Sequence, residues 1–312
     1  MFEQIMAQIA AHDTIIIHRH KNPDGDALGS QLGLKHLLKA AFPEKQVLCV
    51  GDDAGRFAFM EDSVMDQVED DTYQNALAIV LDTSASHLIS DERYKTAHAL
   101  CRIDHHLFCE QIAPIEVVDS TAESCCALVT ALAMEQNLPL SPIAARSLYT
   151  GMVTDSGRFR YDATTHKTFE RAAFLMQQSI DLNAIYQNLY ATDYEQARLR
   201  AQFILKIQFT ENNVGYIYTT KEELAALPVS TFTVSRGMVN TMADLKGVQI
   251  WVNFTETDEG VLCELRSSRH NINPIAVKYG GGGHMKASGA CVKSREEAMQ
   301  MLSDLNELAG EE

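Results

Sequence analysis

The chain has no cysteine-pairing pattern, no long apolar run and no excess of basic charge, and each absence removes a class of protein. Its seven cysteines (49, 101, 109, 125, 126, 263 and 291) are odd in number and never spaced C-x-x-C. In a chain of 312 residues that argues against a disulfide scaffold or a zinc ribbon and for reduced thiols, as in a cytoplasm. The longest apolar runs, such as residues 76–81, fall far short of the roughly 18 residues that a membrane-crossing helix needs. The first 13 residues lack the basic start and cleavage site of a signal peptide. Lys and Arg number 26 against 42 Asp and Glu, a formal charge of −16. A sequence-blind coat on long DNA or RNA needs a basic footprint, so the acidic balance argues against one. It does not exclude a small phosphate substrate held by local cations. There is also no Pro/Gly/Ser-rich linker, internal repeat or low-complexity tract.

What is present is an ordinary globular interior, with 46% hydrophobic residues. At roughly 150 residues per domain, the length suggests two domains. Short β-branched runs (14–17, 46–50, 77–81, 99–103, 115–118) alternate with helical spacing over 27–42, 142–153, 167–178 and 184–207. Ser120-Thr121-Ala122-Glu123 reads as a capping box that opens a further helix through about Gln136. Such alternation predicts an α/β fold with a mostly parallel sheet flanked by helices. From Val214 the character changes: strands at 215–220, 248–257 and 260–268, with helices near 221–227 and 294–308, predict a smaller α+β unit in which Trp251 and Phe254 are core. The expected division is 1–190, a linker helix over 191–211, and 212–312.

In an open parallel sheet, ligands bind beyond the carboxyl ends of the strands. After the first strand stand His18, His20, Asp24 and Asp26; after the third, Asp82; after the fourth, Asp104-His105-His106; after the helix at 142–153, Asp155. Any one of these reads more simply as a cap or turn residue. Gathered at one edge, however, four carboxylates would repel, and divalent cations resolve that repulsion. Carboxylates with one or two imidazoles suit Mg²⁺ or Mn²⁺, with His favouring Mn²⁺, whereas zinc asks for thiolates or more His. His18 shares strand parity with His20, so spacing alone does not separate them.

The motifs H20-K-N-P-D24-G-D26, D82-T-S, D104-H105-H106 and T-D155-S-G-R-F, in that order, resemble those of the DHH phosphoesterases. RSSR (266–269) and GGGGHMKASG (280–289) resemble that family's DHH-associated C-terminal domain. The resemblance spans about residues 14–292 and selects His20 over His18. It implies two metal ions, Mn²⁺ with Mg²⁺ as the alternative, held by His20, Asp24, Asp26, Asp82, His105 and Asp155. His20 and Asp24 would serve one ion, Asp26, His105 and Asp155 the other, and Asp82 would bridge. It further implies that His106 meets the substrate phosphate as a general acid or transition-state stabiliser, while Asp104 orients an imidazole.

Gly280–Gly283 followed by His284 lacks the spacing of a P-loop and reads as a loop on which backbone N–H groups (Gly281, Gly282, Gly283) and His284 approach a phosphate or base. Arg266, with Ser267 beside it, is the cationic partner expected for a distal phosphate. The stand-alone pairing of the two domains is similar to the nanoRNase branch of the family. That implies degradation of very short RNA oligonucleotides and dephosphorylation of 3′-phosphoadenosine 5′-phosphate, with no long nucleic acid and no membrane as partner. A phosphodiesterase of cyclic or linear dinucleotides, such as cyclic di-AMP, uses the same domains. A non-catalytic metal-dependent nucleotide sensor is the alternative from another class. The resemblance also allows a homodimer, although no stretch of sequence marks an interface.

Overall fold

The computed structural model describes residues 1–311, and internal contacts divide the chain into Met1–Ala191 and a unit that begins at Thr192. The first unit runs α1 (Glu3–Ala11), β1 (Thr14–His18), α2 (Gly25–Ala41), β2 (Gln46–Cys49), β3 (Ala76–Leu81), β4 (Ala99–Asp104), β5 (Ile115–Val118), α3 (Cys125–Glu135), α4 (Pro142–Asp155), α5 (His166–Leu175) and α6 (Leu182–Tyr190). Its five strands pair in parallel in the order β2-β1-β3-β4-β5. This places the reversal of strand order between β1 and β3, where open parallel sheets leave a crevice beyond their carboxyl ends.

The two faces of this sheet are covered differently. Ile15, Ile17, Leu77, Ile79, Leu81, Cys101 and Ile103 share one face and pack with α1 to α6 into the main core. Across the sheet, Ile16 packs with Val50 and Tyr73, and Ala78 and Val80 pack with Ile89 and Tyr94, residues of short 3₁₀ turns and loops. The sheet is buried on both faces, which explains the unbroken apolar runs in its strands.

Helices α2 and α4 approach closely because glycine faces the contact. A Cβ at Gly29 of α2 would stand 2.6 Å from the Ser147 carbonyl oxygen of α4, and one at Gly151 of α4 would stand 2.9 Å from the Gly25 carbonyl oxygen of α2. Only glycine lets the two backbones come together there. As a result, Asp155 at the end of α4 is brought beside Asp26 in the first turn of α2.

Two local expectations are corrected. Helix α3 starts at Cys125 with Ser124 as its cap, whose hydroxyl accepts the Ala127 N–H, not in a box at Ser120–Glu123. The helical stretch 184–207 is two helices, broken after Tyr190.

The second unit contains α7 (Tyr194–Leu205), β6 (Gln208–Phe209), β7 (Gly215–Thr219), α8 (Lys221–Ala225), β8 (Ile250–Thr257), β9 (Gly260–Ser267), α9 (Asn273–Lys278), β10 (Gly282–His284), β11 (Ala287–Val292) and α10 (Arg295–Gly310). The strand order is β10-β11-β9-β8-β7-β6, with β7 and β8 parallel and the other pairs antiparallel. Phe254, Leu265, Val292, Met301 and Leu305 form one core with α10, and Trp251, Ile217 and Val234 form another. The fold is α/β, with the parallel sheet and its helices first and the smaller mixed unit second.

Candidate metal centre

The side chains beyond the strand ends of the first unit converge. Two groups of three offer ligand atoms within 4.8 Å of one another: His20, Asp24 and Asp82, and Asp26, His105 and Asp155. A third set, Asp82, His105 and His106, overlaps both in position. Asp82 faces the two groups with different oxygens. Its Oδ2 stands 3.5 Å from His20 Nε2, and its Oδ1 stands 3.3 Å from His105 Nε2. His105 Nε2 is also 3.3 Å from Asp155 Oδ2 and 3.7 Å from Asp26 Oδ2.

Each of these side chains is aimed by local structure. Asp24 caps α2, its Oδ1 accepting the N–H groups of Asp26 and Ala27 at 2.9 Å. Asp26 is fully buried, and its two oxygens accept the N–H groups of Cys125 (2.6 Å) and Cys126 (2.9 Å) at the start of α3. Those amides have no partner inside their own helix, and the helix N-terminus favours the negative charge. Asp82 sits directly after β3 with φ of 51°, a conformation that Asp adopts more readily than most residues. His20 Nδ1 lies 2.7 Å from the Lys21 carbonyl, and His105 Nδ1 lies 3.3 Å from that of Ala122. A ring N–H given to each carbonyl leaves Nε2 as the lone-pair nitrogen facing the carboxylates.

The electrostatics show what this set of donors needs. Burial would lower the pKa of His105, yet the carboxylates of Asp82, Asp26 and Asp155 raise it to about 10. Burial also works against His20, which Asp24 and Asp82 lift to about 11. Asp155 is raised to about 7 by burial and by Asp82, and burial together with the Asp82 and Asp155 charges drives Asp26 well above the usual carboxylate range. Asp82 is itself held below that range, because the facing imidazoles outweigh its burial. Its buried Oδ1 is left without a hydrogen-bond partner unless the His105 ring, 3.3 Å away, is protonated. A cluster whose buried carboxylates raise the proton affinity of both imidazoles they face lacks positive charge. Carboxylate oxygens with imidazole nitrogens are the donor set that divalent ions of the Mg²⁺–Mn²⁺ type accept, so the residues present fit such ions.

His106 and Asp104 form a separate arm. His106 Nδ1 bonds Asp104 Oδ1 at 2.7 Å, and that bond chiefly raises the His106 pKa. Asp104 is fully buried, with Oδ2 bonded to Arg102 Nη2 at 2.5 Å. Although burial opposes it, His106 and Arg102 keep the Asp104 carboxyl below its usual range. Arg102 lies outside the residues that the motifs single out. A signal for it exists, because Arg102 and Asp104 are two apart on β4 and so share a face. The Cys125 and Cys126 amides that hold Asp26 leave no sequence signal, being backbone. His18 is not in the cluster: it is buried between Tyr73 and Tyr94, with ring centroids 5.8 and 6.1 Å away, and burial lowers its pKa to about 4.

The second unit holds the remaining candidates. Arg266 on β9 reaches the carbonyl of Leu265 at 2.8 Å and Glu264 Oε2 at 3.2 Å. Ser267 Oγ accepts the N–H groups of Arg269 (3.1 Å) and His270 (2.7 Å), which fixes the turn after β9. Part of the glycine run is strand and not loop: Gly282, Gly283 and the exposed His284 are edge strand β10, paired with β11. Gly283 has φ of 134°, and a Cβ at Gly281 would lie 2.1 Å from the Gly289 carbonyl oxygen. These glycines therefore bring β10 and its approach against β11 where no larger residue fits.

Known proteins resemble the chain throughout. Residues 14–152 match the DHH family, N-terminal domain, and residues 226–311 match the DHHA1 domain. A Bacillus subtilis protein described as bifunctional oligoribonuclease and PAP phosphatase NrnA is 34% identical, covering 100% of this chain and 99% of its own. A Streptococcus mutans protein described as a probable protein of the same kind is 36% identical, covering 98% of each. A solved exopolyphosphatase-related protein from Bacteroides fragilis is 27% identical with a TM-score of 0.84, covering 99% of this chain and 97% of that one. From its carboxylate–imidazole cluster to its likeness over the full length of these relatives, the chain belongs to the DHH family.

Proposed function

We propose that this chain is a phosphoesterase, dependent on two divalent ions, most suitably Mn²⁺. It would degrade very short RNA oligonucleotides to mononucleotides and dephosphorylate 3′-phosphoadenosine 5′-phosphate to AMP. The observation that carries the reading is Asp82, which faces one three-donor group with each of its oxygens. The descriptions of the B. subtilis and S. mutans relatives support the choice of substrates.

In this reading His20, Asp24 and Asp82 would hold one ion and Asp26, His105 and Asp155 the other, with Asp82 available to both. When bound, such a pair lowers the pKa of water and offsets the phosphate charge. The chain's own residues do the rest. Asp104 fixes the His106 ring through Nδ1 and favours its protonated form, which leaves Nε2 for the substrate. Water adds to phosphorus and gives up one proton, the phosphorus–oxygen bond to the sugar breaks, His106 gives its Nε2 proton to the leaving alkoxide, and the proton released by the water restores His106. Arg266, Ser267, Gly281, Gly282, Gly283 and His284 provide the substrate-binding groups, with the Arg266 guanidinium for a phosphate. The −16 net charge repels long polyanions, so short substrates are preferred. Seven cysteines without a disulfide and no helix among the described residues long and apolar enough to cross a membrane are consistent with a cytoplasmic setting.

The test is a panel with purified protein and Mn²⁺: a dinucleotide, a long RNA, 3′-phosphoadenosine 5′-phosphate, cyclic di-AMP, its linear product and pyrophosphate. Turnover of the dinucleotide and of 3′-phosphoadenosine 5′-phosphate is expected. Inertness toward both overturns the reading, and turnover of cyclic di-AMP alone replaces it with a dinucleotide phosphodiesterase. Long RNA degraded as fast as the dinucleotide at low salt, where repulsion is least screened, defeats the size preference.

A further inference from the structure

The segment that carries His20 and Asp24 belongs to no helix or long strand, yet it must be held still for two ligands four residues apart to meet Asp82. The structure shows what holds it. Arg19, between His18 and His20, is completely buried, and all three nitrogens of its guanidinium donate hydrogen bonds. Nε donates to Gln31 Oε1 (2.9 Å), Nη1 to Asp52 Oδ1 (2.7 Å) and to the His20 carbonyl (3.1 Å), and Nη2 to the Asp52 carbonyl (2.5 Å). Asp52 lies in the loop after β2, outside every motif that the sequence displays. Its other oxygen, Oδ2, accepts the N–H of Asn22 at 2.6 Å, a residue with φ of 51°. The Ser90 hydroxyl donates to Asp52 Oδ1 at 2.6 Å. Ser90 ends the short stretch zipped to the His20 segment, through Ser90 N–H to the Arg19 carbonyl (2.9 Å) and Lys21 N–H to the Leu88 carbonyl (2.8 Å).

One carboxylate thus fastens the residue before His20, the left-handed turn between His20 and Asp24, and the segment that lines up beside them. Among the described residues nothing comparable reaches Asp26, His105 or Asp155, which are held by helix ends and by the Ala122 carbonyl. We infer that Asp52 is a positioning residue for one half of the metal centre: it sets the His20–Asp24 ion site and leaves the Asp26–His105–Asp155 site unaffected. The inference rests on the two-ion reading and adds a device that tunes the two ions separately. An asymmetric pair of this kind would load one ion tightly and exchange the other more readily.

The experiment is calorimetric titration of Mn²⁺ into the metal-stripped full chain, for wild type and for Asp52→Asn. The Asn amide keeps one acceptor but cannot accept from both the Arg19–Ser90 side and the Asn22 N–H. Groups that orient metal ligands typically change affinity by about 10- to 100-fold. The expected result is two binding events in wild type, with one weakened by about that factor in Asp52→Asn and the other unchanged within about twofold. Thermal unfolding of both proteins in chelator shows whether the fold itself has suffered. Equal weakening of both events, or no change in either, overturns the inference. Wild type that takes up no Mn²⁺ overturns the metal centre itself, a different outcome from a failure of Asp52 alone. Should Asp52→Asn not fold, Ser90→Ala removes a single hydroxyl from the same carboxylate. It carries the same selective expectation at about three- to tenfold, and no selective loss there is equally decisive.

Discussion

The two units carry polar clusters built on opposite principles. In the first unit, acids and imidazoles are crowded at strand and helix ends, and four carboxylates face one another with little compensating charge. In the second, Glu264 already accepts from both Arg266 and Arg236, on a sheet whose edge strand carries glycine. The first arrangement is electrostatically incomplete and awaits cations. The second already pairs its charges, and in the proposed function an anion would take the place of that carboxylate on Arg266. Substitutions should accordingly act on different kinetic constants in the two units.

The largest effect is expected at the point of greatest imbalance. Asp82→Ala removes the carboxylate that faces both three-donor groups and should lower kcat by about 10³-fold or more, measured on a dinucleotide with saturating Mn²⁺. Activity within tenfold of wild type would show that the two groups do not share this residue. Arg266→Ala in the second unit should act mainly on KM, raising it about 10- to 100-fold with kcat much less changed. If kcat fell instead, the contrast between the units would collapse.

The pH dependence of stability sharpens the same contrast. Asp155 (about 7) and His105 (about 10) both have pKa values raised on folding, from unfolded values of about 3.9 and 6.5. For a raised pKa, the folded state binds more protons, so its stabilisation is complete below the unfolded pKa and is lost as pH climbs through the folded one. The melting temperature of metal-stripped protein should therefore fall between pH 5 and pH 9. Added Mn²⁺ should restore more at pH 8 than at pH 6, since binding needs deprotonated ligands. A flat or rising profile for the stripped protein would contradict the crowded-carboxylate picture.

The smallest effect belongs to the glycine edge. At Gly283, with φ of 134° and a would-be Cβ 2.6 Å from the Ala287 carbonyl oxygen, Gly283→Ala should cost about 1–3 kcal/mol of stability, read by chemical denaturation. The metal-binding stoichiometry of the first unit should be unchanged.

Much of the metal centre is legible in the order of residues along the chain. Those after β1, β3 and β4 are placed together by the rule that open parallel sheets present their carboxyl ends as one edge. Strand periodicity identifies all five strands of the first sheet to within a residue or so. Where the sequence misleads, it does so locally. Ser120–Glu123 has the letters of a capping box, but the side chain that caps α3 is Ser124, because Asp26 draws the Cys125 and Cys126 amides toward itself. The glycine run reads as a loop because glycine disfavours strands on average, yet pairing with β11 overrides that preference where close approach is needed.

Determined by the sequence alone are the chemistry and its order: which carboxylates and imidazoles exist, and that they follow strands. Alternation and motif spacing are properties of neighbours along the chain. Only the tertiary structure decides that Asp155 stands beside Asp26, that the Cys125 and Cys126 amides hold Asp26 and that Asp52 fastens the His20 segment. Those pairings come from glycine contacts between α2 and α4, from backbone amides at a helix end and from a buried guanidinium. Most of these partners lie tens of residues apart, and no spacing rule joins them.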